Sequence, residues 1–161
     1  MLARRRRTQG FTLVEILIVV VILGILAAVV IPQFTSASET AKQASLLTQL
    51  QTIRSQLELY QVQHNGQYPR QAEMESFMVL VQTTDVNGSV DGDDFGPYLM
   101  KPPANPFTAG PNATVVGTQA NIDVGWVYNG GPGEGDGGIR ACLSSKVADG
   151  LTLSSDDVAT Y

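Results

Sequence analysis

A single carboxylate lies inside a long apolar segment near the N-terminus. Residues 11–31 read FTLVEILIVVVILGILAAVVI, and Glu15 is the one charged residue among them. An unpaired carboxylate in a membrane-spanning helix costs roughly 2.5–3.5 kcal/mol, so its presence indicates a function. Two interpretations stay open from the residues alone: Glu15 neutralises another buried charge, or its side chain reaches the membrane interface near the start of the helix.

A second set of side chains has the chemistry to bind a metal ion. The segment 83–96, TTDVNGSVDGDDFG, is rich in the oxygen-bearing side chains that calcium prefers. Gly96 stands at the twelfth loop position, where an EF-hand calcium loop has a bidentate acid. The segment is therefore either a solvated acidic loop or a calcium site, with Asp91, Asp93 and Asp94 as candidate ligands.

Residues suited to catalysis are few. The chain has one histidine, His64, and one cysteine, Cys142, and its sequence contains no HExxH motif, nucleophile elbow or recognisable triad. His64 follows the polar end of a predicted helix, where a histidine complements the helix dipole. Cys142 lies in a short apolar strand pattern that is typical of a buried small hydrophobe. The sequence predicts a protein that is not an enzyme.

The apolar segment predicts a single pass through a membrane. A helix over 11–31 would be about 31 Å long at ~1.5 Å per residue, which matches a hydrocarbon core of roughly 30 Å. Arg4, Arg5, Arg6 and Arg7 precede it, which places the N-terminus in the cytoplasm and the rest of the chain outside. The alternative is a cleaved secretory signal peptide. The apolar region of such a peptide is shorter than the segment 11–31 and is followed by a small-residue cleavage site.

The charge balance argues against nucleic acid as a partner. The formal net charge is −5, and without residues 1–10 the chain has 6 basic against 15 acidic residues. Phosphate binding depends on lysine and arginine, so a body this acidic does not suit it.

The helical pattern continues beyond Pro32. We predict one helix over 11–64, kinked or loosened at Pro32 because proline removes one backbone hydrogen bond, and ending at Asn65-Gly66. The second half of this helix has one apolar stripe, which suits it to cover a sheet. The stripe consists of Leu46, Leu50, Ile53, Leu57 and Tyr60.

The remainder of the chain predicts a small head. We expect a short helix over 71–82, strands over 114–117, 122–128 and 139–143, and a hairpin loop over 129–138. The tail, 144–161, is expected to be frayed or to form a weak edge. The predicted fold class is α+β, with the long helix packed on a small antiparallel sheet. The predicted organisation is a basic leader (1–10), a transmembrane and assembly helix (11–31), an amphipathic helix half (32–66) and a loop-rich head (67–161).

The run Gly10-Phe11-Thr12-Leu13-Val14-Glu15 resembles the cleavage and methylation motif of type IV prepilins and type II secretion pseudopilins. Gly24 and Pro32 also stand where that family commonly has glycine and proline. A looser likeness, to the sheet region of major pseudopilins of the secretion protein G type, is carried by Gly96-Pro97-Tyr98-Leu99, Asn105-Pro106 and Trp126-Val127-Tyr128.

The resemblance implies a pilin fold and a processing pathway. A prepilin peptidase would cleave between Gly10 and Phe11 and the new N-terminus of Phe11 would be methylated. Glu15 would pair with the Phe11 amine of a neighbouring subunit, and Gly24 and Pro32 would give the helix flexibility. Major pseudopilins also commonly bind calcium in a loop nearer the C-terminus, between sheet strands. Asp136 lies in that neighbourhood, and no other cofactor is expected.

The function implied by the resemblance is structural. The first interpretation is a subunit of a type II secretion pseudopilus, which waits in the inner membrane with its head in the periplasm and then joins a filament. The alternative is a major type IV pilin for adhesion, motility or DNA uptake, and a third is a monomeric membrane-anchored binding or enzymatic domain. The implied partners are other copies of the chain, the prepilin peptidase, the inner-membrane assembly platform and membrane lipid.

Overall fold

The computed structural model describes residues 10–90, 92–130, 136–149, 151 and 153–160. The chain divides into two compact units, Met1–Thr40 and Ala41–Tyr161. One helix, α1 (Leu13–Gln63), contributes residues to both of them.

Helix α1 confirms the predicted long helix. Pro32 lies inside it, and because proline has no backbone N–H, the Ala28 carbonyl loses its usual helical partner there while the helix continues on both sides. At its end, Asn65 and Gly66 adopt left-handed conformations, with φ of 54° and 78°. The Gly66 amide then donates to the Gln61 carbonyl at 2.8 Å, which closes the last turn.

In the described part of the first unit, residues 10–40, every residue is exposed within the chain. Its large side chains are exposed, among them Phe11 at 81% and Phe34 at 71%. The helix is long and apolar enough to cross a membrane. Such a surface is stable in lipid or against other helices but is costly in water, at about 25 cal/mol for each Å² of apolar area.

The core of the second unit lies between the other half of α1 and the sheet. The predicted stripe is confirmed: all five of its residues are at most 2% exposed. They pack with one face of the sheet, which contributes Trp126, Tyr128, Ile139, Ala141 and Leu143. Val127 and Cys142 alternate with these residues and belong to a smaller cluster, as the period of two in a strand requires.

The segment 71–82 departs from the single helix that its sequence predicts. It forms two short 3₁₀ turns, Gln71–Glu73 and Glu75–Phe77, followed by one α-helical turn, α2 (Met78–Val81). Ser76 and Phe77 interrupt the helix with left-handed φ values of 52° and 60°. Phe77 is fully buried and meets the Trp126 ring edge-on at 6.0 Å, so packing overrides the local preference for helix.

Among the described residues, the sheet has four strands in chain order: β1 (Val116–Gly117), β2 (Trp126–Asn129), β3 (Gly138–Leu143) and β4 (Val158–Thr160). The predicted hairpin is present, since β2 and β3 pair antiparallel. Both outer pairs are parallel, so the sheet is mixed and not antiparallel throughout. The connection from β3 to β4 holds a helical turn, α3 (Ser145–Ala148), and is long enough for the crossover that parallel strands need.

Candidate assembly site

Glu15 lies in the first turn of α1 and is held there by Thr12. The Glu15 carboxylate oxygen Oε2 accepts hydrogen bonds from the Thr12 amide and from the Thr12 hydroxyl, both at 2.9 Å. The Glu15 amide in turn donates to the Thr12 hydroxyl oxygen at 3.2 Å. This reciprocal arrangement is a capping box, which satisfies backbone donors that a helix start otherwise leaves unpaired.

The cap fixes the carboxylate at the end of the apolar helix. Glu15 lies four residues from Phe11, about one helical turn, and both residues are exposed within the chain. A negative charge in the first turn is also favoured by the helix dipole. A carboxylate held in this way is accessible to a cation that another molecule brings to the helix start.

Thr12 is the functional residue that the sequence reasoning missed at this end. Its signal is present in the sequence, because Thr12-Leu13-Val14-Glu15 fits the Ser/Thr-x-x-Glu pattern of a capping box ahead of an apolar run.

Gly10, Gly24 and Pro32 are all exposed within the chain. Gly10 precedes the helix, and a Cβ added at Gly10 or at Gly24 would meet nothing within 4 Å. Gly24 also lacks a positive φ that would demand glycine. The predicted role of Gly10 in cleavage and the predicted roles of Gly24 and Pro32 in helix flexibility stay predictions.

The acidic loop is held in a turn by hydrogen bonds between the Asp85 side chain and nearby backbone amides. Asp85 Oδ1 accepts hydrogen bonds from the amides of Asn87 and Ser89 at 2.8 and 2.9 Å. The bond from Ser89, together with those from Asn87, outweighs burial and holds the pKa of Asp85 below its usual range. Asp85 therefore acts as a turn-forming residue.

The predicted calcium ligands are not brought together among the described residues. Asp91 lies outside the described residues, Asp93 and Asp94 are exposed, and Asp136 Oδ1 accepts a hydrogen bond from the Gly138 amide at 3.0 Å. Within the described ranges, no three His, Cys, Asp or Glu side chains are grouped as a metal site. Calcium binding at these positions stays a prediction.

Thermal melting of the full-length chain in detergent tests that prediction. If the acidic loop binds calcium, millimolar calcium should raise the melting temperature above that measured with chelator, because a ligand of the native form stabilises it. Asp93→Asn combined with Asp94→Asn should remove the difference. Equal melting temperatures of the unmodified chain in the two conditions would contradict a calcium site.

His64 is more buried, and makes more contacts, than its place at the end of the predicted helix indicates. It is 3% exposed, and its ring stacks on the Tyr60 ring at 3.6 Å. Nδ1 lies 2.8 Å from the Tyr60 carbonyl, and Nε2 lies 3.0 Å from the Thr84 hydroxyl. The contact with Tyr60 agrees with the predicted place at the helix end, while the contact with Thr84 joins that end to the segment after α2.

Arg54 is a second residue whose role the sequence did not reveal. Its guanidinium donates to Asp157 Oδ1 at 2.9 Å, to the Ile139 carbonyl at 3.0 Å and to the Asp156 carbonyl at 2.7 Å. Burial disfavours the charge of Asp157, but hydrogen bonds from Ser154 and Arg54 and the Arg54 charge hold its pKa below the usual range. The partners are 85 to 103 residues away in sequence, so no local pattern indicates them.

Comparison with known proteins agrees with the geometry at the helix start. The family model described as the prokaryotic N-terminal methylation motif matches residues 5–31. The type II secretion system core protein G of Dickeya chrysanthemi is 33% identical over 122 residues, which cover 74% of this chain and 76% of that protein. The core protein G of Pseudomonas aeruginosa is 34% identical over 121 residues, or 75% of this chain and 83% of that protein.

A more distant relative and the solved structures complete the comparison. The ComG operon protein 3 homolog of Bacillus licheniformis is 32% identical over 68 residues, which cover 42% of this chain and 70% of that protein. No solved structure gives a significant match. The motif and the relatives aligned over three quarters of the chain show that it belongs to the type II secretion system core protein G family of type IV pilin-like proteins.

Proposed function

We propose that this chain is the structural subunit of a type II secretion pseudopilus, a filament that serves protein secretion across the outer membrane. The observation that carries the proposal is the similarity to core protein G over three quarters of the chain. The role is mechanical rather than catalytic, in keeping with relatives that are named as core components of a secretion system.

The apolar part of α1 anchors the subunit before assembly. The helix is long and apolar enough to cross a membrane. Arg4 to Arg7 precede it in the sequence, and basic residues on one side of a span favour a cytoplasmic N-terminus. The head then lies in the periplasm, on the other side of the inner membrane. Lipid, the assembly platform and other copies of the chain are the partners that this exposed apolar surface accommodates.

Assembly is driven by exchange of lipid contacts for contacts between helices, with Glu15 setting the register. Cleavage after Gly10 creates a cationic amine on Phe11. In the filament, the Glu15 carboxylate receives the Phe11 amine of a neighbouring subunit, which neutralises both charges away from water. The Thr12 cap holds the carboxylate at the helix start, so the pair forms without a search among side-chain conformations.

Deletion of the gene in its host separates this role from that of a major type IV pilin. We expect the deletion strain to retain exoproteins in the periplasm while motility and adhesion stay normal, and complementation to restore secretion. Loss of surface pili with unchanged secretion would support the alternative and would contradict a pseudopilus.

The mature chain should begin at Phe11. Gly10 is the last residue of the leader, and the absence of a side chain allows the backbone to approach the protease closely. Intact-mass measurement of protein extracted from the membrane of a peptidase-positive host should show loss of residues 1–10. Gly10→Val should leave the leader in place.

Gly24→Val is the matched control for cleavage, because it makes the same change at a glycine inside α1 that has open space around it. That variant should be processed like the unmodified chain. A mature protein that keeps its four arginines would contradict the assigned cleavage position.

A further inference from the structure

Arg140 carries a positive charge that pairs with no other described residue of the chain. It lies on β3 opposite Val127, on the sheet face turned away from α1, and it is exposed. The ion pairs among the described residues involve Arg54 and Arg70, and Arg140 takes part in neither. Its guanidinium group is therefore accessible to an anion that another molecule brings.

The cleft beside Arg140 suits an acidic segment of chain. Its volume is about 510 Å³, and its lining includes Gln71, Thr118 and Asn129, whose side chains can donate hydrogen bonds. No carboxylate lies among the described residues of this lining. A second cleft that Arg140 also borders, of about 470 Å³, is lined by two aspartates and is less suited to an anion. The first cleft, called the Arg140 cleft below, therefore favours a carboxylate.

The acidic loop presents two carboxylates on a fixed base. Asp93 and Asp94 are exposed, and neither takes part in an ion pair among the described residues. The loop is closed by two backbone hydrogen bonds between Thr84 and Phe95, both at 2.9 Å. Thr84 is fully buried and contacts His64 at the end of α1. Because the loop is held at its base, little ordering is needed before it binds another surface.

The Arg140 cleft and the acidic loop lie at different levels of α1. The loop contacts the helix end at His64, whereas Ile139, the neighbour of Arg140 on β3, contacts Arg54. Between these two contacts the helix rises roughly 15 Å, at ~1.5 Å per residue. Copies anchored in one membrane are parallel, so the two surfaces meet only when one copy is displaced along α1. A contact between unlike surfaces can repeat from copy to copy and build an open filament.

We propose that Arg140 of one copy receives the carboxylates of Asp93 and Asp94 from the next copy in the filament. This inference rests on the proposed filament and adds a contact between heads to the proposed pair at Glu15. A guanidinium fork binds a carboxylate through two parallel hydrogen bonds, which fixes the orientation of the partners. The contact also offsets repulsion between acidic heads, since the chain without residues 1–10 has 6 basic against 15 acidic residues.

Charge reversal in the full-length chain tests the contact through the yield of sheared filaments, measured with chelator present so that calcium does not occupy the carboxylates. Arg140→Asp should lower the yield at least about tenfold, because a charged pair is replaced by like charges. Asp93→Lys combined with Asp94→Lys should lower it similarly. The three substitutions together should restore most of the yield, because the pair forms again with its signs exchanged.

Asp123→Lys combined with Arg140→Asp is the matched control for this rescue. Asp123 is an exposed carboxylate outside the acidic loop, so its reversal should not restore the yield. Rescue by Asp123→Lys as complete as rescue by the loop substitutions would show that only the net charge of the head matters, and would overturn the proposal.

Crosslinking locates the contact without removing any charge. Val90→Cys places a thiol on the acidic loop and Thr118→Cys places one in the lining of the Arg140 cleft, and both positions are exposed. A flexible bismaleimide linker should join filaments of the double variant into a ladder of multimers, because each copy uses both surfaces. Each single variant should stay uncrosslinked, since the native Cys142 is 1% exposed.

Four further results would overturn the contact: an unchanged filament yield in Arg140→Asp, no rescue by the loop substitutions, filaments of the double cysteine variant without crosslinks, or crosslinked dimers without a ladder. These results leave the proposed function intact, because filaments still form from the unmodified chain. Failure of the unmodified chain to form filaments would contradict the proposed function itself, and the contact with it.

Discussion

Replacement of Trp126 by alanine is expected to lower the free energy of unfolding of the head by about 3–5 kcal/mol, the range for truncating a buried tryptophan. Trp126 is fully buried at the start of β2. Its ring meets Phe77 edge-on, and its indole N–H donates to the carbonyls of Pro103 and Ala113 at 3.1 and 3.0 Å. The substitution therefore opens a cavity and also removes the shared donor of two carbonyl groups.

Denaturant unfolding of the full-length chain in detergent, followed by circular dichroism, measures this loss. Met100→Ala is the control, because Met100 is 93% exposed and its truncation should change the unfolding free energy by less than about 0.5 kcal/mol. Trp126→Phe should fall between the two, since it keeps most of the volume but leaves both carbonyls without the indole donor. Equal stability of Trp126→Ala and Met100→Ala would contradict the assignment of Trp126 to the centre of the core.

The sequence predicts the parts of this fold whose signals are local. Helix α1 and its buried stripe follow from apolar residues at a spacing that only one helix face satisfies. The hairpin of β2 and β3 follows from two apolar runs on either side of a glycine-rich segment. Alternation along β2 places Trp126 and Tyr128 on the face toward α1, with Val127 opposite.

The parts that the sequence does not predict depend on contacts between distant residues. Phe77 enters the core beside Trp126, and that contact breaks a segment whose own composition favours one continuous helix. The parallel placement of β4 depends on the return of the chain after α3 and on the hydrogen bonds that Arg54 makes to the Asp157 carboxylate and the Asp156 carbonyl. A polar residue on a helix surface gives no sign of which of its neighbours it will reach.

Part of the assembly site could likewise be predicted from the sequence, and part depends on contacts beyond it. The position of Glu15 in an apolar run shows that a charge has been retained there at a cost, and Thr12 could have been recognised as its cap. The proposed partner of Glu15, the Phe11 amine of a neighbouring subunit, lies on another molecule, so the structure of one chain presents the carboxylate without the cation. An experiment on assembly is needed to connect the two.

Replacement of Glu15 by valine is expected to abolish filament formation while leaving the chain folded and inserted. The change makes the apolar segment more uniform, so insertion is not weakened. It removes the proposed partner of the Phe11 amine, and breaking one member of a buried ion pair typically costs about 3–5 kcal/mol because the other charge stays uncompensated. A cost of that size for every added subunit reduces addition by roughly a hundredfold or more.

The variant should therefore accumulate as a processed monomer in the inner membrane, which probing sheared filaments and membrane fractions together would show. Glu39→Val is the matched control, because Glu39 is an exposed carboxylate on the same helix, lies beyond the apolar segment 11–31 and is far from the Phe11 amine. Thr12→Val should give an intermediate filament yield, since it retains the carboxylate but removes the hydroxyl that orients it. Filaments of Glu15→Val at the yield of Glu39→Val would mean that Glu15 is only an interfacial residue and that the register between subunits has another origin.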